Sequence, residues 1–388
     1  MSSRSSILVA CLLVVGAGPL SGQSLFGSAG LGLPIDALDG RSRALGNLGL
    51  GLSGGALLPS DPAAAGRLRL GTGVLVAQPS WTKASSGGES NYFRGTRFPL
   101  LGAAYPVFGG MATIHFTSLM EQDFGGVRET TLTLGGVPVV ATDSFEQDGA
   151  VSAMNVGFAR MITEETSVGV TVGRYTGAVD RIFVRTLDSN AGSAVQAYVS
   201  AGSWSYTGYL VTGGVATRLI DLVNVSASAT WSTALDATAS GTTAGGDGSF
   251  DVPLQLRVGA SAALAQGLTI SASAARADWS GVADDLNGGT EANPTTAFGV
   301  GLELAQARLL GREAPLRLGF RHSGLPFSVG SEDASERIFS GGFGLTLNQT
   351  GEVVLALLDL GVEKGRRSAD ALDENFWRAT LSLRLSGI

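Results

Sequence analysis

Long stretches of this sequence alternate, residue by residue, between apolar and polar side chains. In 223–232, Val223, Val225, Ala227, Ala229 and Trp231 fall on one side, and Asn224, Ser226, Ser228, Thr230 and Ser232 on the other. Phe250, Val252, Leu254, Leu256 and Val258 do the same, as do Phe298, Val300, Leu302 and Leu304, and Trp377, Ala379, Leu381, Leu383 and Leu385. A period of two predicts strands with one face in an apolar medium and the other in a polar one. After the N-terminus the chain has no run of 18 apolar residues, so no transmembrane helix is predicted. Only helices and closed barrels satisfy every backbone group in hydrocarbon. The pattern therefore fits a water-soluble sandwich or a membrane barrel.

The connections favour the barrel. Strands are predicted at about 67–80, 96–106, 110–120, 149–160, 165–177, 203–218, 222–234, 249–264, 267–279, 295–306, 314–322, 336–347, 351–363 and 375–386, about 14 in number. Long connections follow the odd-numbered strands and short ones the even-numbered strands. Outer-membrane barrels have that asymmetry, with long extracellular loops, short periplasmic turns and an even strand count. The fold class expected is all-β, a transmembrane antiparallel outer-membrane β-barrel. The loop at 121–148 contains Glu129–Leu134 and Val137–Ala141, readable as an extracellular hairpin or as two more barrel strands. On this count Trp81, Trp204, Trp231, Trp279 and Trp377 all fall near the outer rim, where an aromatic girdle belongs. The short run 340–344 (Ser-Gly-Gly-Phe-Gly) is a candidate bend or thin place in the wall.

Residues 1–23 read as a signal peptide: Arg4, then an apolar core from Ile7 to Leu20 that is too short to span a bilayer. Leu8-Val9-Ala10-Cys11 mimics a lipoprotein box, but the apolar core continues past Cys11. Cys11 is the one cysteine, which excludes an internal disulfide and a zinc site of the CxxC kind. A net charge of −7 leaves no footprint for nucleic acid. The 57 glycines argue against a helical protein. Residues 24–65 are rich in Gly and Leu, show no strand pattern, and are too apolar for a free tail. They are expected inside the barrel as a hatch, or plug, with the barrel occupying 66–388. The glycines at 46, 49, 51 and 54 have no preceding strand and no following Lys-Ser/Thr, so they read as packing and not as a nucleotide loop.

This N-terminal stretch resembles the hatch of the long-chain fatty-acid outer-membrane transporters (FadL type). The matching residues are Arg43-Ala44-Leu45-Gly46, then Gly49 and Gly51, then Asp61-Pro62-Ala63, with Asp61 where the family has Asn. Pro315–Phe327, Leu360–Gly365 and Glu374–Arg378 are similar to the superfamily's last strands. The chain ends in Ile388 where such proteins often end in Phe, a departure from the signal read by the outer-membrane assembly machinery. The resemblance implies passive uptake of a hydrophobic small molecule such as a fatty acid or hydrocarbon. The hatch would shift, and the ligand would leave sideways into membrane lipid. The same superfamily holds barrels of the PorV type, which bind exported proteins.

By alternation Arg257, Arg317, Arg321, Arg378 and Arg384 face the lumen. A luminal Arg can take a ligand carboxylate bidentately; its competing role is an ion-pair network with Asp251, Glu303 or Asp359. Arg67 and Arg69 lie near the periplasmic end and are expected to brace the hatch, through Asp61. Phe93, Phe124, Val137, Val139 and Phe145 are candidates for the mouth. His115 and His322 are too far apart for a metal site. A hydrolytic pair of His115 with Ser152 is the outsider. No metal, cofactor or catalytic residue is assigned. The expected function is a plugged transporter of hydrophobic small molecules. The alternatives are a PorV-like secretion or structural barrel and an open diffusion porin.

Overall fold

Ser226, Ser228, Thr230 and Ser232 are buried, whereas Ala229 and Trp231 on the other side of the same strand are exposed. A soluble sandwich buries its apolar face; this chain buries the polar one. The same inversion recurs at Val156, Val172, Leu256, Val300, Leu318 and Phe339, all exposed. It identifies the strands as the wall of a membrane barrel with a polar interior. No helix is long and apolar enough to cross a membrane.

The computed structural model describes residues 24–188, 196–241, 243, 245–286, 291–309, 312–329, 332–351, 353–370 and 372–387. The expected signal peptide, with Cys11, and the terminal Ile388 lie outside the described residues. Among these residues fourteen strands form one closed antiparallel ring. We number them β1 (Thr72–Ser86), β2 (Glu89–Val107), β3 (Gly110–Glu121), β4 (Val137–Met161), β5 (Thr166–Thr176), β6 (Tyr198–Leu219), β7 (Val223–Ser232), β8 (Gln255–Ala265), β9 (Leu268–Asp278), β10 (Pro294–Leu304), β11 (Leu316–Gly324), β12 (Ser335–Thr350), β13 (Val353–Ala369) and β14 (Leu372–Ser386). Each pairs with the next, and β14 closes on β1 from Thr72↔Ser386 to Ser86↔Leu372. Every barrel strand thus has a partner on each side, although the β2–β3 ladder stops at Leu100↔Thr117.

The segment 121–148 contributes no extra barrel strand. Phe124–Leu134 and the first part of β4 form a hairpin beyond the rim. Two stretches read as loops, 178–202 and 235–248, also carry strands there, and the strand expected at 249–264 divides into Gly248–Phe250 and β8. Ala178–Leu187 joins β4 to the start of β6, and Leu235–Ser240 and Gly248–Phe250 extend the sheet further. The barrel wall thus continues outward as a second sheet over β4–β7. At the change-over Gly149 and Gly177 have φ of 149° and 126°. A Cβ at either would strike the carbonyl oxygen of Ala178 or Ala150 across the ladder, so glycine permits the bend.

The wall at 340–344 is intact, with both neighbours paired through it. Its glycines serve packing instead: a Cβ on Gly342 would lie 2.7 Å from that of Ala44. Trp81, Trp231 and Trp377 face outward, exposed, near the outer rim; Trp204 and Trp279 are buried and face inward.

Candidate functional site

The stretch from Ser24 to Leu68 crosses the space enclosed by the ring. Asp39 caps a short helix, Gly40–Ala44, by accepting from the Ser42 amide at 2.8 Å. The helix sits against β11–β14: the Gly40 amide donates to Ser382 Oγ at 2.7 Å, and Ser340 Oγ donates to the Ala44 carbonyl at 3.0 Å. The following turn lies so close to the wall that a Cβ on Gly299 or Gly319 would overlap the backbone of Leu45 and Gly46. Asn47 Oδ1 accepts from the Gly49 and Leu50 amides and holds the next turn. Farther on, Asp61 caps the 3-10 helix Pro62–Arg67, whose Pro62 rests on Gly169 of β5. Burial pushes the Asp61 carboxyl up to about 6. Arg67 reaches Asn224 Oδ1 (3.2 Å) and the Glu165 carbonyl (3.3 Å), not a bond to Asp61.

Two cavities flank this segment. The upper one, about 130 Å³, is bordered by Arg97, Arg257, Arg321, Arg378, Trp279 and, from the segment, Leu33, Asp36, Arg43 and Leu48. The lower one, about 170 Å³, is bordered by Glu303, Arg317, Asp359, Arg384 and, from the segment, Asp39, Arg41, Gly49 and Asp61. Residues 36–50 therefore stand between the two cavities.

Buried ion pairs fix that position. Glu363 accepts from Arg378 at 2.9 Å and Arg321 at 3.4 Å and lies 3.6 Å from Arg43. Glu336 takes Arg367 at 2.7 Å, and Arg367 also reaches Glu374 at 2.9 Å. Glu374 in turn accepts from Ser24 Oγ and the Leu25 amide. Burial alone would raise the Asp36 carboxyl, but Arg321, Arg43 and Arg257 outweigh it and hold it below its ordinary range.

The five arginines expected in the lumen separate between the two cavities, with Arg384 at the lower one. Arg257, Arg321 and Arg378 meet at the upper cavity. Arg317 does not: it is held by Glu303 (2.7 Å) and Asp359 (2.5 Å) beside the lower cavity, in the ion-pair role. Arg257 differs from all of them. Its one hydrogen bond is to Gln255 Oε1, at 2.7 Å, and it makes no salt bridge among the described residues. Arg321 Nε and Arg378 Nη2 are buried without a hydrogen-bond partner. Asp251 lies on a loop, where its amide donates to Asp285. Neither ring nitrogen of the buried His115 has a partner, and Ser152 faces Ser118 across the ladder, so no Ser–His pair forms.

The wall beside the upper cavity is interrupted. The β2–β3 ladder stops at Leu100↔Thr117, although β3 runs on to Glu121. Pro99, next along β2, has no amide hydrogen to donate. In the place left open, Leu33 and Pro34 pair with Glu121 and Met120 of β3. Arg97 spans the same place, bonded to Glu121 at 2.9 Å and Gln78 at 2.7 Å. Above the cavity lies a buried apolar cluster that includes Leu31, Tyr175, Trp204, Tyr206, Trp279 and Phe327. Of the residues read for the mouth, Phe145 lies on the half-exposed inner face of the outer sheet, against Phe183 at 4.8 Å between ring centres. Phe93 is buried.

Sequence reasoning missed Asp36, Glu336 and Glu363. Glu363 shares its inward phase with Asp359 four residues earlier, and that spacing was a usable signal. The two-residue strand Leu33–Pro34 left none. Among the described residues no group of His, Cys, Asp and Glu could hold a metal ion.

No protein-family model matches this sequence, and no curated protein matches it. Solved structures do. A FadL homologue of Pseudomonas aeruginosa superimposes with a TM-score of 0.61 at 10% identity, covering 92% of this chain and 100% of the other. The toluene transporter TodX of Pseudomonas putida gives 0.57 at 14%, covering 92% and 99%. The monoaromatic hydrocarbon channel CymD gives 0.54 at 13%, covering 94% and 99%. At these identities the likeness is one of fold, and the chain has the outer-membrane β-barrel fold of the FadL type.

Proposed function

We propose that this protein is an outer-membrane channel for passive uptake of a hydrophobic small molecule, with residues 24–65 acting as its hatch. One observation carries the reading. The upper cavity borders Leu33 and Pro34, and these two residues fill the interruption between β2 and β3. A ligand in that cavity is separated from the bilayer by a two-residue strand and by Arg97. Displacing that strand would open a route sideways into lipid, where an apolar molecule avoids water.

The cavity also bears on the ligand. A void of about 150 Å³ holds benzene, so about 130 Å³ is too small for a whole long chain and suits a short chain or the head of a longer one. Arg257, which makes no salt bridge among the described residues, favours a carboxylate on that ligand. The proposed cargo is thus a compact hydrophobic acid, or the head of a fatty acid whose tail lies among the apolar residues above.

Mass spectrometry of small molecules retained after mild-detergent purification tests this. The intact protein should be enriched in such an acid. Arg257→Ala should lower retention by about tenfold, the loss of one charge-assisted contact. A variant lacking 24–65 should retain none. Equal retention of a neutral hydrocarbon by wild type and Arg257→Ala would keep the channel and remove the acid. An exported protein co-purifying in place of any apolar molecule would overturn the reading in favour of a secretion barrel.

A further inference from the structure

The chain has 24 arginines but only two lysines, Lys83 and Lys364. Both point outward near the extracellular rim, on strands flanking β14. Lys83 Nζ lies 5.6 Å from the ring centre of Tyr92, and Lys364 Nζ 5.4 Å from that of Trp377. Cross-strand register places three cations beside them. Arg94, Trp81, Trp377 and Lys364 form one outward row across β2, β1, β14 and β13. Tyr92, Lys83, Asn375, Arg366 and Arg337 form the next row toward the rim, extending to β12. All nine residues are exposed.

This arrangement is unfavourable by itself. Arg337 and Arg366 face each other directly, and like charges in that position repel. Asp373, one row higher, answers Arg366 at 2.7 Å and is, among the described residues, the only acid in the outward rows of this face. Five cations thus share one carboxylate, on the outside of a chain whose net charge is −7. The acids of the same strands, Glu336, Glu363 and Glu374, point inward and are spent on luminal arginines. On the far side, β5 and β9 carry only Arg174 and Arg276 outward at a comparable height.

The position identifies the missing anion. Trp81 and Trp377 sit where aromatic residues mark the membrane–water interface. Basic side chains at that depth lay their stems along the apolar surface and send their charges into the headgroup layer. Arginine forks match phosphate oxygens. We propose that the outer face of β12–β14, β1 and β2 binds the net-anionic, phosphate-bearing headgroup of a lipid in the outer leaflet, held by Lys83, Arg94, Arg337, Lys364 and Arg366. This site is separate from the lumen and does not depend on what the channel carries.

Native mass spectrometry of the full chain in detergent tests it, with diphosphorylated lipid A and phosphatidylcholine as probes. Wild type should hold the phosphorylated lipid on the order of a hundredfold better than K83Q/R337Q/K364Q/R366Q. Phosphatidylcholine should bind both equally, and R174Q/R276Q should behave as wild type. Inorganic phosphate should not displace the lipid. Heat-modifiable migration in gels verifies that each variant folds. If the quadruple variant does not fold, K83Q/K364Q takes its place with an expected loss of about tenfold. Equal retention by wild type and variant would overturn the proposal. So would displacement by inorganic phosphate, or retention of phosphatidylcholine as firmly as lipid A.

Discussion

Apart from Arg257, strands β5–β9 line the lumen mainly with hydroxyls and glycines, whereas β10–β14 line it with ions. On the first side Thr212 and Thr230 share a hydrogen bond at 2.9 Å, Tyr175 and Ser232 one at 2.7 Å, and Ser261 donates to the Gly51 carbonyl at 2.7 Å. On the second, Glu303, Arg317, Arg321, Glu336, Asp359, Glu363, Arg367, Glu374 and Arg378 are all buried. The N-terminal segment packs backbone to backbone on both sides, at Gly259 and Gly169 on the first and at Gly299 and Gly319 on the second. It also meets the ionic side with charges of its own, Asp36, Arg41 and Arg43. A neutral wall tolerates the loss of one partner, because water or a neighbouring hydroxyl can replace it. An ionic wall does not, because each removal strands a buried charge.

The contrast predicts a gradient of effects. Glu363→Gln leaves Arg43, Arg321 and Arg378 undercompensated and should cost about 3–5 kcal/mol in reversible unfolding from detergent micelles. Rescue by the compensating loss of Arg378 would sharpen the assignment, whereas a neutral Glu363→Gln would break it.

Next in size is a pH effect at the neutral side. The folded Asp61 carboxyl sits near 6, above its ordinary 3.8. Its contribution is complete below pH 4 and is lost as pH rises through 6, a swing of about 3 kcal/mol. Limited proteolysis of the segment should therefore speed up between about pH 4 and 6. Asp61→Asn should abolish this dependence.

Gly299→Val would drive a side chain into Gly46. A cost of about 1–3 kcal/mol and earlier protease cleavage of the segment are expected; an unchanged cleavage rate would show that the segment does not rest there. The smallest effect is expected at Thr230→Ala, about 1 kcal/mol for one hydrogen bond. A penalty equal to that of Glu363→Gln would erase the contrast between the two sides.

The strands were legible because period two is enforced by the pleat, and Ser226–Ser232 displays it without a break. Their number and order were legible because loops and turns alternate in length. Which face is inside was open from alternation alone, and burial of the serines decides it. Of the outer sheet only the hairpin at 129–141 was legible: Ala178–Leu187 gains its strand from pairing with β4 and β6, which local sequence does not reveal. The role of 340–344 was misread for a related reason. Glycine permits a gap and a close approach equally, and only the neighbour, Ala44, distinguishes them. Of the luminal arginines, alternation gave the inward phase correctly. It could not say which were already paired, since that depends on Glu363 and Glu336 across the ladders.

The central claim is that residues 24–65 close the lumen. Ion conductance across a planar lipid bilayer measures this most directly, with the wild-type protein compared with a variant lacking those residues. The account predicts no steady conductance from the wild type and stepwise opening of large pores from the variant. Steady conductance of equal size from both would show that the segment does not close the lumen, and would return the protein to the class of open diffusion pores.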